Sequence, residues 1–539
     1  MKSLNGIKNF INLNKLIFNL KKTPKTNKVI LVEFNKWACN HIAFSNCILS
    51  LKKNLNYKVI AFPENGFQHF IYRQKIFNKI KFFFGKVFGL KNFGIYKSFS
   101  TEDFIKIENS SFIIKKSEPI YRKLKDKIKK KSDILKIKIN NILVGDLIYD
   151  SFLKEYNRET IDINDLQFDY FLKKSIQYFL FWYYEIDKRN TQVVLSSQSV
   201  YLSSIPTRIG LYKNCTCLVA NPERLYKLSK KNIYSDKEFN LFKSIKKKIN
   251  KKLLKRGLKI AKKRLELRFK GNAGVDLSYL SKTAYGKFQA NKLLRKNKNL
   301  KILISPHSFS DAPHQLGNHL FADYFDWLDF ICRNADKEKY DWYIKCHPNF
   351  NEYFDNTIQI VKNFTYKYKF IKYLEPNVSH NQLIKEGIKA VFTCHGTIGS
   401  EYPYFNIPVV NASKSNPHIN YKFNFHPQNI TELGDTIKNI DKKKLRINKK
   451  DVIENYFFKN IYFSNKWIFE NFESLIKFCG GYKKIYDKKS YEYWIKNWSI
   501  KKQEKITKAI DDFINSDDYM MTFKNYKISL KKYLDENFL

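Results

Sequence analysis

Three strand-and-loop units between residues 301 and 418 constrain the fold more than any other part of the chain. Each is an apolar run followed at once by a cluster of polar residues. The runs are Ile302–Ile304, Trp342–Cys346 and Ala390–Cys394, and the third continues through a helix to a further strand at Ile407–Asn411. In an open α/β sheet, ligands bind beyond the carboxyl ends of the strands, where these clusters fall. The segment therefore predicts one nucleotide-binding half of an α/β enzyme.

The third cluster, CHGTIGSE, carries groups suited to phosphate and ribose. Its glycines permit a tight turn, the hydroxyls of Thr397 and Ser400 and free backbone N–H groups can bind an anion, and Glu401 can accept both hydroxyls of a ribose. An ordinary strand-to-helix turn with a serine cap fits the same residues equally well. The candidate nucleotide-binding residues are His307, Lys345, His347, Glu375, His395, Gly396, Thr397, Ser400 and Glu401.

His347 ends the second strand, and the proline after it fixes the turn, so its imidazole can donate to a phosphate oxygen. A strand-end histidine is also often structural. Lys345 adds polar capacity beside it, and the loop that begins at Glu375 is expected beside the base of the bound nucleotide. That loop leads into Ser379–Gln382, which has the spacing of a capping box.

The first cluster raises the question of a metal site, because it holds His307, Asp311, His314 and His319. Their spacing fits no common structural zinc pattern, and no cysteine joins them. A phosphate-facing or base-type role suits them better than metal binding. We therefore expect neither a metal ion nor another cofactor.

The N-terminal half begins as a second Rossmann-like unit. An apolar strand at Val29–Phe34, a helical pattern at Cys39–Lys53 and a strand at Tyr57–Phe62 predict a parallel pair with a right-handed crossover. The further predicted elements are a strand at Phe93–Phe99, a helix or exposed connector at Lys115–Lys138, a helix at Leu166–Asp187 and a strand at Gln192–Ser197.

Asn141–Ser151, with the sequence NILVGDLIYDS, predicts a strand that runs into a turn at Gly145 and Asp146. Asp146 is a candidate general base that would take a proton from an acceptor hydroxyl. Asp311 is the alternative base, with His314 beside it, and Asp146 is preferred. Asp150 is interpreted as a helix cap.

The formal charge of +49 favours anionic partners. The sequence contains no nucleic-acid-binding motif, so we do not expect the protein to bind nucleic acid. The segment Lys227–Lys270 contains eighteen Lys or Arg residues and three acids. This composition indicates a solvated helical connector or, alternatively, a patch that binds an anionic membrane surface. No signal peptide or membrane span is predicted. Eight scattered cysteines indicate reduced thiols in a cytoplasm.

Several pieces of the chain resemble bacterial capsular and surface-polysaccharide biosynthesis proteins. They are GDLIYDS, SSQSVYLSSIPTRIGLY, RFKGNAGVDLSY, SPHSFSDAPH, KCHPN and CHGTIGSEYPYFNIPVV. The resemblance implies a GT-B-like α/β fold, with two Rossmann-like domains facing across a cleft. It implies an acceptor-side domain at residues 28–295, a nucleotide-sugar domain at 300–442 and a helical segment at 443–539.

The resemblance also implies a metal-independent glycosyltransferase at the cytoplasmic side of the inner membrane. A nucleotide-sugar would be the donor and a lipid-linked or polymeric glycan the acceptor. His347 would contact the donor phosphate, and Gly396, Thr397 and Glu401 would form the nucleotide loop. The acidic-acidic-Gly motif of related enzymes has only a partial match here, Pro63-Glu64-Asn65-Gly66.

Three alternatives remain open from the sequence. A nucleotide-sugar epimerase shares such a two-domain cleft and converts the donor without an acceptor. A polyol-phosphate transferase of the teichoic-acid type shares the His-Pro pair. A non-catalytic glycan-binding or assembly protein is the third, since a fold does not establish a function.

Overall fold

The computed structural model describes residues 2–19, 26–55, 57–72, 76–350, 356–464 and 467–538. The strands, in chain order, are β1 Val29–Phe34, β2 Lys58–Pro63, β3 Thr101–Phe104, β4 Lys138–Ile139, β5 Ile142–Leu143, β6 Thr191–Ser196, β7 Thr216–Ala220, β8 Leu225–Leu228, β9 Leu300–Ile304, β10 Tyr340–Lys345, β11 Ile371–Leu374, β12 Ile388–Thr393 and β13 Val409–Asn411.

Two Rossmann-like sheets organise the chain. The first has the order β3-β2-β1-β6-β7-β8 and is parallel except for β8, which runs antiparallel to β7. The second is wholly parallel, in the order β11-β10-β9-β12-β13. In both sheets the strand order reverses beside the first strand, which opens a crevice at the carboxyl ends. The predicted α/β class with two Rossmann-like units is confirmed.

Helices cover these sheets. Their bounds are Lys2–Asn19, Ala38–Asn54, Gln68–Ile71, Ile76–Phe88, Asn92–Ser98, Ser111–Lys127, Lys131–Ile134, Gly145–Tyr156, Leu166–Lys188, Ile205–Tyr212, Phe242–Lys248, Lys251–Phe269, Tyr324–Asn334, Thr357–Lys367, His380–Glu386, Ile398–Tyr404, Ile430–Lys438, Lys449–Phe457, Phe472–Cys479, Lys489–Lys496, Ile500–Ile514 and Leu530–Phe538. Among the described residues, no helix combines the length and the apolar character needed to cross a bilayer.

Each sheet is buried on both faces, which explains why its strands are continuous apolar runs and do not alternate. In β1, Ile30 and Val32 face one core, and Val29 and Leu31 face the other. The C-terminal helices supply much of the cover for this first sheet, because Trp494 and Phe513 lie in the same core as Ile30. All eight cysteines are free and buried.

The strand predicted at Phe93–Phe99 is wrong. This segment is the helix Asn92–Ser98, and the edge strand follows it at β3. Phe93 and Tyr96 are three residues apart, so a helix presents both rings on one side, where both contact Phe34. The helical period is too short here to be recognised from the sequence.

The strand and turn predicted at Asn141–Ser151 are also corrected. Only β5 is extended, and GDLIYDS forms the first turns of the helix Gly145–Tyr156. Gly145 serves a close approach and not a tight turn, because a Cβ there would lie 2.0 Å from the carbonyl oxygen of Ile134. Asp150 therefore lies within the helix, and its interpretation as a cap is wrong.

The capping box expected at Ser379–Gln382 does not form. Ser379 is the N-cap of the helix His380–Glu386, but its side chain makes no capping hydrogen bond. The Gln382 amide instead holds residues 270–299, the segment between the helix Lys251–Phe269 and β9, which we call the connector. Its oxygen accepts from the backbone N–H of Gln289 at 2.7 Å, and its nitrogen donates to the carbonyl of Asn291 at 3.1 Å.

Gly145→Ala tests the close approach. We expect a loss of about 1–3 kcal/mol in the free energy of unfolding, because the added methyl group must displace backbone. Gly434→Ala is the matched control within a helix, since its Cβ would meet no atom closer than 3.5 Å. That substitution should be neutral or stabilise by up to about 1 kcal/mol. Urea unfolding measures both, and equal stabilities would contradict the packing argument.

Candidate active site

A cavity of about 480 Å³ lies at the carboxyl ends of the second sheet. Segments belonging to the first sheet, the connector and a C-terminal helix complete its wall. Its charged and histidine lining residues are Glu223, Arg224, Asp236, Glu238, Arg268, Lys282, His307, Asp311, Lys345, His347, His380, His395, Glu401 and Lys459. A ligand here would contact both halves of the chain.

Eight of the residues singled out in the sequence line this cavity: His307, Asp311, Lys345, His347, His395, Gly396, Thr397 and Glu401. Four others do not, namely Glu375, Ser400, His314 and Asp146. Glu375 is exposed, and the Ser400 hydroxyl donates to the carbonyl of Thr397 within its own helix at 3.0 Å. The loops after β9, β10 and β12 thus converge as the strand pattern predicts.

His307 and His395 lie together on one wall. Their ring centroids are 4.5 Å apart, and the backbone N–H of His395 donates to Nε2 of His307 at 3.3 Å. Burial lowers the pKa of His307 to about 4, so the ring is neutral at pH 7 and acts as an acceptor. Tyr324 stacks on His307 and hydrogen-bonds His395 Nε2 at 2.7 Å. These two rings shape the wall and do not supply positive charge.

Lys345 and Lys459 supply that charge. Lys345 is 2% exposed at the end of β10, and its ammonium donates to the carbonyl of Cys346 at 3.3 Å. Burial lowers the pKa of each lysine to about 8. Among the described side chains, no carboxylate forms an ion pair with either one. Both lysines are still mainly cationic at pH 7, and two buried cations that line a polar cavity are suited to bind an anion.

His347 follows Lys345 by two residues and lines the same cavity. Its Nδ1 accepts from the backbone N–H of Asn349 at 3.2 Å, so a neutral ring carries its proton on Nε2. Asn349 in turn donates from its side chain to Ser281 at 3.0 Å. This chain of hydrogen bonds fixes the imidazole as a donor, which is the orientation a phosphate contact requires.

Glu401 is committed to a buried ion pair. Arg268 donates to Oε1, and the Tyr285 hydroxyl donates to Oε2 at 2.8 Å. Arg268 also donates to the carbonyl of Val275 at 3.1 Å. The carboxylate therefore holds the connector against the helix Ile398–Tyr404, and a ribose could reach it only by competing with these partners.

Asp146 is committed in the same way. The two terminal nitrogens of Arg208 donate to its two oxygens at 3.2 and 2.9 Å, and both side chains are buried. Burial by itself would raise the pKa of Asp146, but the charge of Arg208 holds that pKa below its ordinary value. A paired, fully ionised carboxylate outside the cavity is a structural group.

Asp150 and His314 form a second buried contact between the halves. Nδ1 of His314 lies 2.5 Å from Oδ1 of Asp150, and the backbone N–H of His314 donates to Oδ2 at 3.1 Å. Burial lowers the pKa of His314, yet the Asp150 carboxylate outweighs it and the net pKa is raised. The pair joins the helix Gly145–Tyr156 to the loop after β9.

Asp311 differs from these acids because it lines the cavity and stays accessible, with 42% of its side chain exposed. The Tyr201 hydroxyl donates to Oδ1 at 3.0 Å, and Lys154 lies 3.9 Å from the same oxygen. Its other oxygen is not engaged by either group. A carboxylate held at one oxygen and open at the other suits a general base.

Sequence reasoning missed Arg224, Arg268, Tyr285 and Lys459. Arg224 donates to the carboxylates of Asp236 and Glu238 at 2.9 and 3.1 Å. Lys459 lies on the π-helical turn Phe458–Tyr462, a local irregularity that often marks functional sites. Nothing in its sequence context, FFKNIYF, distinguishes it from surface lysines. No group of three or more His, Cys, Asp or Glu side chains in the described ranges is arranged to hold a metal ion.

A pair of glutamates lies at the carboxyl edge of the first sheet. Glu33 is the penultimate residue of β1, is fully buried, and accepts from the backbone N–H and hydroxyl of Ser197 at 3.0 and 2.6 Å. Burial, and then the charge of Glu33, raise the pKa of Glu64 to about 7. Glu64 belongs to the partial acidic motif of the sequence, but it does not line the cavity.

No family model and no curated protein sequence matches this chain. Solved structures similar to it include UDP-GlcNAc 2-epimerase from Neisseria meningitidis bound to UDP-GlcNAc, at 11% identity and a TM-score of 0.23 over 80% of this chain and 97% of that one. Another is KpsC, the β-Kdo 2,4 transferase of Thermosulfurimonas dismutans, at 12% identity and a TM-score of 0.30 over 50% of this chain and 79% of that one. A third is S. aureus MnaA with UDP, at 9% identity and a TM-score of 0.25 over 80% of this chain and 92% of that one. Because these identities and TM-scores are low, the fold is assigned from the strand orders of the two sheets.

Substitution of the two candidate bases should separate structure from chemistry. Asp146→Asn leaves Arg208 buried without its counter-charge, so we expect a loss of about 3–5 kcal/mol in the free energy of unfolding. Asp311→Asn, at an exposed carboxylate, should change stability by no more than about 0.5 kcal/mol. Chemical denaturation checks both, and an Asp146→Asn protein as stable as wild type would contradict the structural assignment.

The Glu33–Glu64 pair predicts a pH effect on stability. The pKa of Glu64 is raised to about 7 in the folded chain from an ordinary value of 4.5. Its stabilising contribution is therefore complete below pH 4.5 and is lost as the pH rises through 7. Relative to Glu64→Gln, wild type should lose about 1–3 kcal/mol between pH 5 and 8. Glu108→Gln, at an exposed glutamate, is the control and should follow wild type; parallel curves for all three would exclude the effect.

Proposed function

We propose that this chain is a glycosyltransferase that moves a sugar from a nucleotide-activated donor to a surface-glycan acceptor. The observation that carries the proposal is that Lys345 and Lys459 are both buried in a cavity at the carboxyl ends of a Rossmann-like sheet. Among the described residues no carboxylate lies within ion-pair distance of either ammonium, and the acids that influence them, Glu238 and Glu401, are bonded to arginines. Placing two lysines there is costly unless an anion neutralises them. The phosphates of a nucleotide-sugar meet that requirement, and a nucleotide-sugar fits a volume of about 480 Å³.

The donor would lie with its phosphates between these lysines and the Nε2–H of His347. Gly396 and Thr397 would bring the backbone close to the phosphates. At Gly396 no side chain stands between the backbone and the ligand, and a Cβ there would lie 3.3 Å from the nearest side-chain atom. As phosphates leave with the nucleotide, positive charge stabilises the developing negative charge on the leaving group. Because side chains supply this charge, we expect turnover to persist in a chelator.

Asp311 is the general base of the proposed reaction. Its accessible carboxylate would remove the proton from the acceptor hydroxyl as that oxygen attacks the anomeric carbon of the donor. The Tyr201 hydrogen bond orients the carboxylate. Asp146, preferred from the sequence, is reassigned to holding Arg208.

The domain boundaries proposed for this function are residues 28–295 for the acceptor side, 300–442 for the nucleotide side and 443–539 for the helical segment. One core of each sheet takes no residue from the other sheet, which supports the first division, although the second core of the first sheet also takes in Leu316 and Phe423. The helical segment shares its core with the first sheet, which supports treating both as one acceptor-side unit in solution.

Purified protein incubated with a panel of UDP-, GDP-, dTDP- and CMP-activated sugars tests the reaction class. A transferase should give product only when a glycan acceptor is added, and Asp311→Asn should lower that turnover about a hundredfold with donor affinity unchanged. A new nucleotide-sugar formed without acceptor would indicate an epimerase instead. Transfer from a nucleotide-activated polyol alone would indicate a polyol-phosphate transferase, and binding without any conversion would remove the enzyme proposal.

The anion site has its own test. Lys345→Ala and His347→Ala should each weaken nucleotide binding about ten- to a hundredfold, because each removes a charge-assisted or donor hydrogen bond to phosphate. Lys362→Ala, at an exposed lysine of the helix Thr357–Lys367, is the control and should bind as wild type does. Calorimetric titration with UDP and CDP gives the affinities.

The same lysines predict a pH profile. With a pKa of about 8, each is cationic below that pH and neutral above it, so nucleotide affinity should hold at pH 7 and fall as the pH rises through 8. Lys459→Arg keeps its charge at every accessible pH, so it should bind more strongly than wild type at pH 9. Affinities measured from pH 6.5 to 9.5 decide this, and a flat wild-type profile would rule out lysine control of binding.

A further inference from the structure

The helix Ile76–Phe88 carries an apolar face that nothing in the described chain covers. The side chains of Ile80, Phe83, Phe84, Val87 and Phe88 are 48%, 60%, 46%, 50% and 66% exposed. We call these five residues the aromatic face. Soluble surfaces expose large apolar residues singly, whereas a contiguous group marks an interaction site.

The aromatic face follows from helical geometry. Its members stand at positions i, i+3, i+4, i+7 and i+8, which form one stripe of a helix. The opposite side is held against the protein, because Phe82 packs edge-to-face on Phe93 with ring centroids 5.4 Å apart. A Cβ at Gly85 would lie 2.6 Å from the same Phe93 ring, so the helix is seated as closely as it can be. The helix is docked by one side and presents the other to its surroundings.

Positive charge borders this stripe. Between residues 76 and 97 the sequence has five lysines and no acid. Lys81, Lys91 and Lys97 are exposed, and Leu90, 53% exposed, extends the apolar surface toward them. Lys86 alone of the described lysines in this segment pairs with an acid, Asp103, at 2.5 Å.

We propose that the aromatic face docks this protein on an anionic lipid surface, with the helix lying in the plane of the headgroups. Phenylalanine rings reach the acyl boundary while flanking lysines remain among anionic headgroups, which is the chemistry of interfacial helices. At 13 residues the helix is too short to span a bilayer. The proposal is independent of the transferase activity and holds for any reaction in the cavity.

This placement replaces the membrane patch considered for Lys227–Lys270. The helix Lys251–Phe269 buries Gly257, Ile260, Ala261 and Leu265 in the protein, and no large apolar side chain between residues 227 and 270 is exposed. Lysines without apolar neighbours bind headgroups only electrostatically and are released by salt. The aromatic face supplies the apolar area that the basic connector lacks.

Vesicle co-sedimentation tests the proposal. Wild type should bind vesicles of phosphatidylglycerol and phosphatidylcholine at least tenfold more tightly than vesicles of phosphatidylcholine alone. The variant Phe83→Ser/Phe84→Ser/Phe88→Ser should lose at least tenfold of that binding. The matched control Phe112→Ser/Phe288→Ser/Tyr366→Ser removes three aromatic rings that are 52%, 50% and 82% exposed elsewhere, and it should bind as wild type does.

The two triple variants should unfold at the same temperature as wild type within a few degrees, since all six rings are exposed. Phe84→Trp gives a second readout, which does not depend on weakening the binding. The fluorescence of the introduced tryptophan should be quenched by brominated lipid acyl chains when the protein is bound to vesicles. Equal vesicle binding by wild type and the aromatic-face variant would overturn the proposal. The proposal would also be overturned if wild type were a dimer and the aromatic-face variant a monomer, because the aromatic face would then join two copies of the chain.

Discussion

The buried ion pair between Arg268 and Glu401 is the contact on which the cavity depends. Glu401 belongs to the helix that follows β12, and Arg268 ends the helix that leads out of the first half of the chain. Their bond, with Tyr285 on the other carboxylate oxygen, closes the wall between the two sheets. Loss of either residue would leave the other charge buried without a partner, which is strongly destabilising. The contact between Asp150 and His314 does the same on the opposite side, where the helix Gly145–Tyr156 meets the loop after β9.

This pairing explains how the cavity could serve as the proposed anion site despite its many acids. Glu401 is paired with Arg268, and Asp236 and Glu238 share the single positive charge of Arg224. Lys345 and Lys459 are left over, and burial has already lowered the pKa of each to about 8. Both are mainly cationic at pH 7, and a phosphate that entered the cavity would interact strongly with them because the local dielectric is low. In this proposal the paired acids hold the wall together, and the two lysines select the ligand.

The sequence predicts what is encoded locally and fails where a partner lies far away along the chain. The strands and the loops after β9, β10 and β12 were predictable because an apolar run and its polar end are neighbours in sequence, and eight candidate residues converge as expected. Asp146 illustrates the opposite case: its role is decided by Arg208, 62 residues later, and no spacing rule connects the two. Gly145 shows a third case, since a glycine before an aspartate has the composition of a turn, and only packing against Ile134 makes it the start of a helix.

The net charge of +49 is the property that the sequence leaves least interpretable, because it does not distinguish one lysine from another. The structure separates them by what surrounds each ammonium. Lys345 is buried beside polar backbone, where its charge is worth most to an anion that enters the cavity. Lys81 and Lys91 border exposed phenylalanines, where charge and apolar area act together on a surface. Most of the other lysines are exposed without either neighbour and are screened within about 8 Å at physiological salt, so they contribute to solubility and long-range steering but specify no partner.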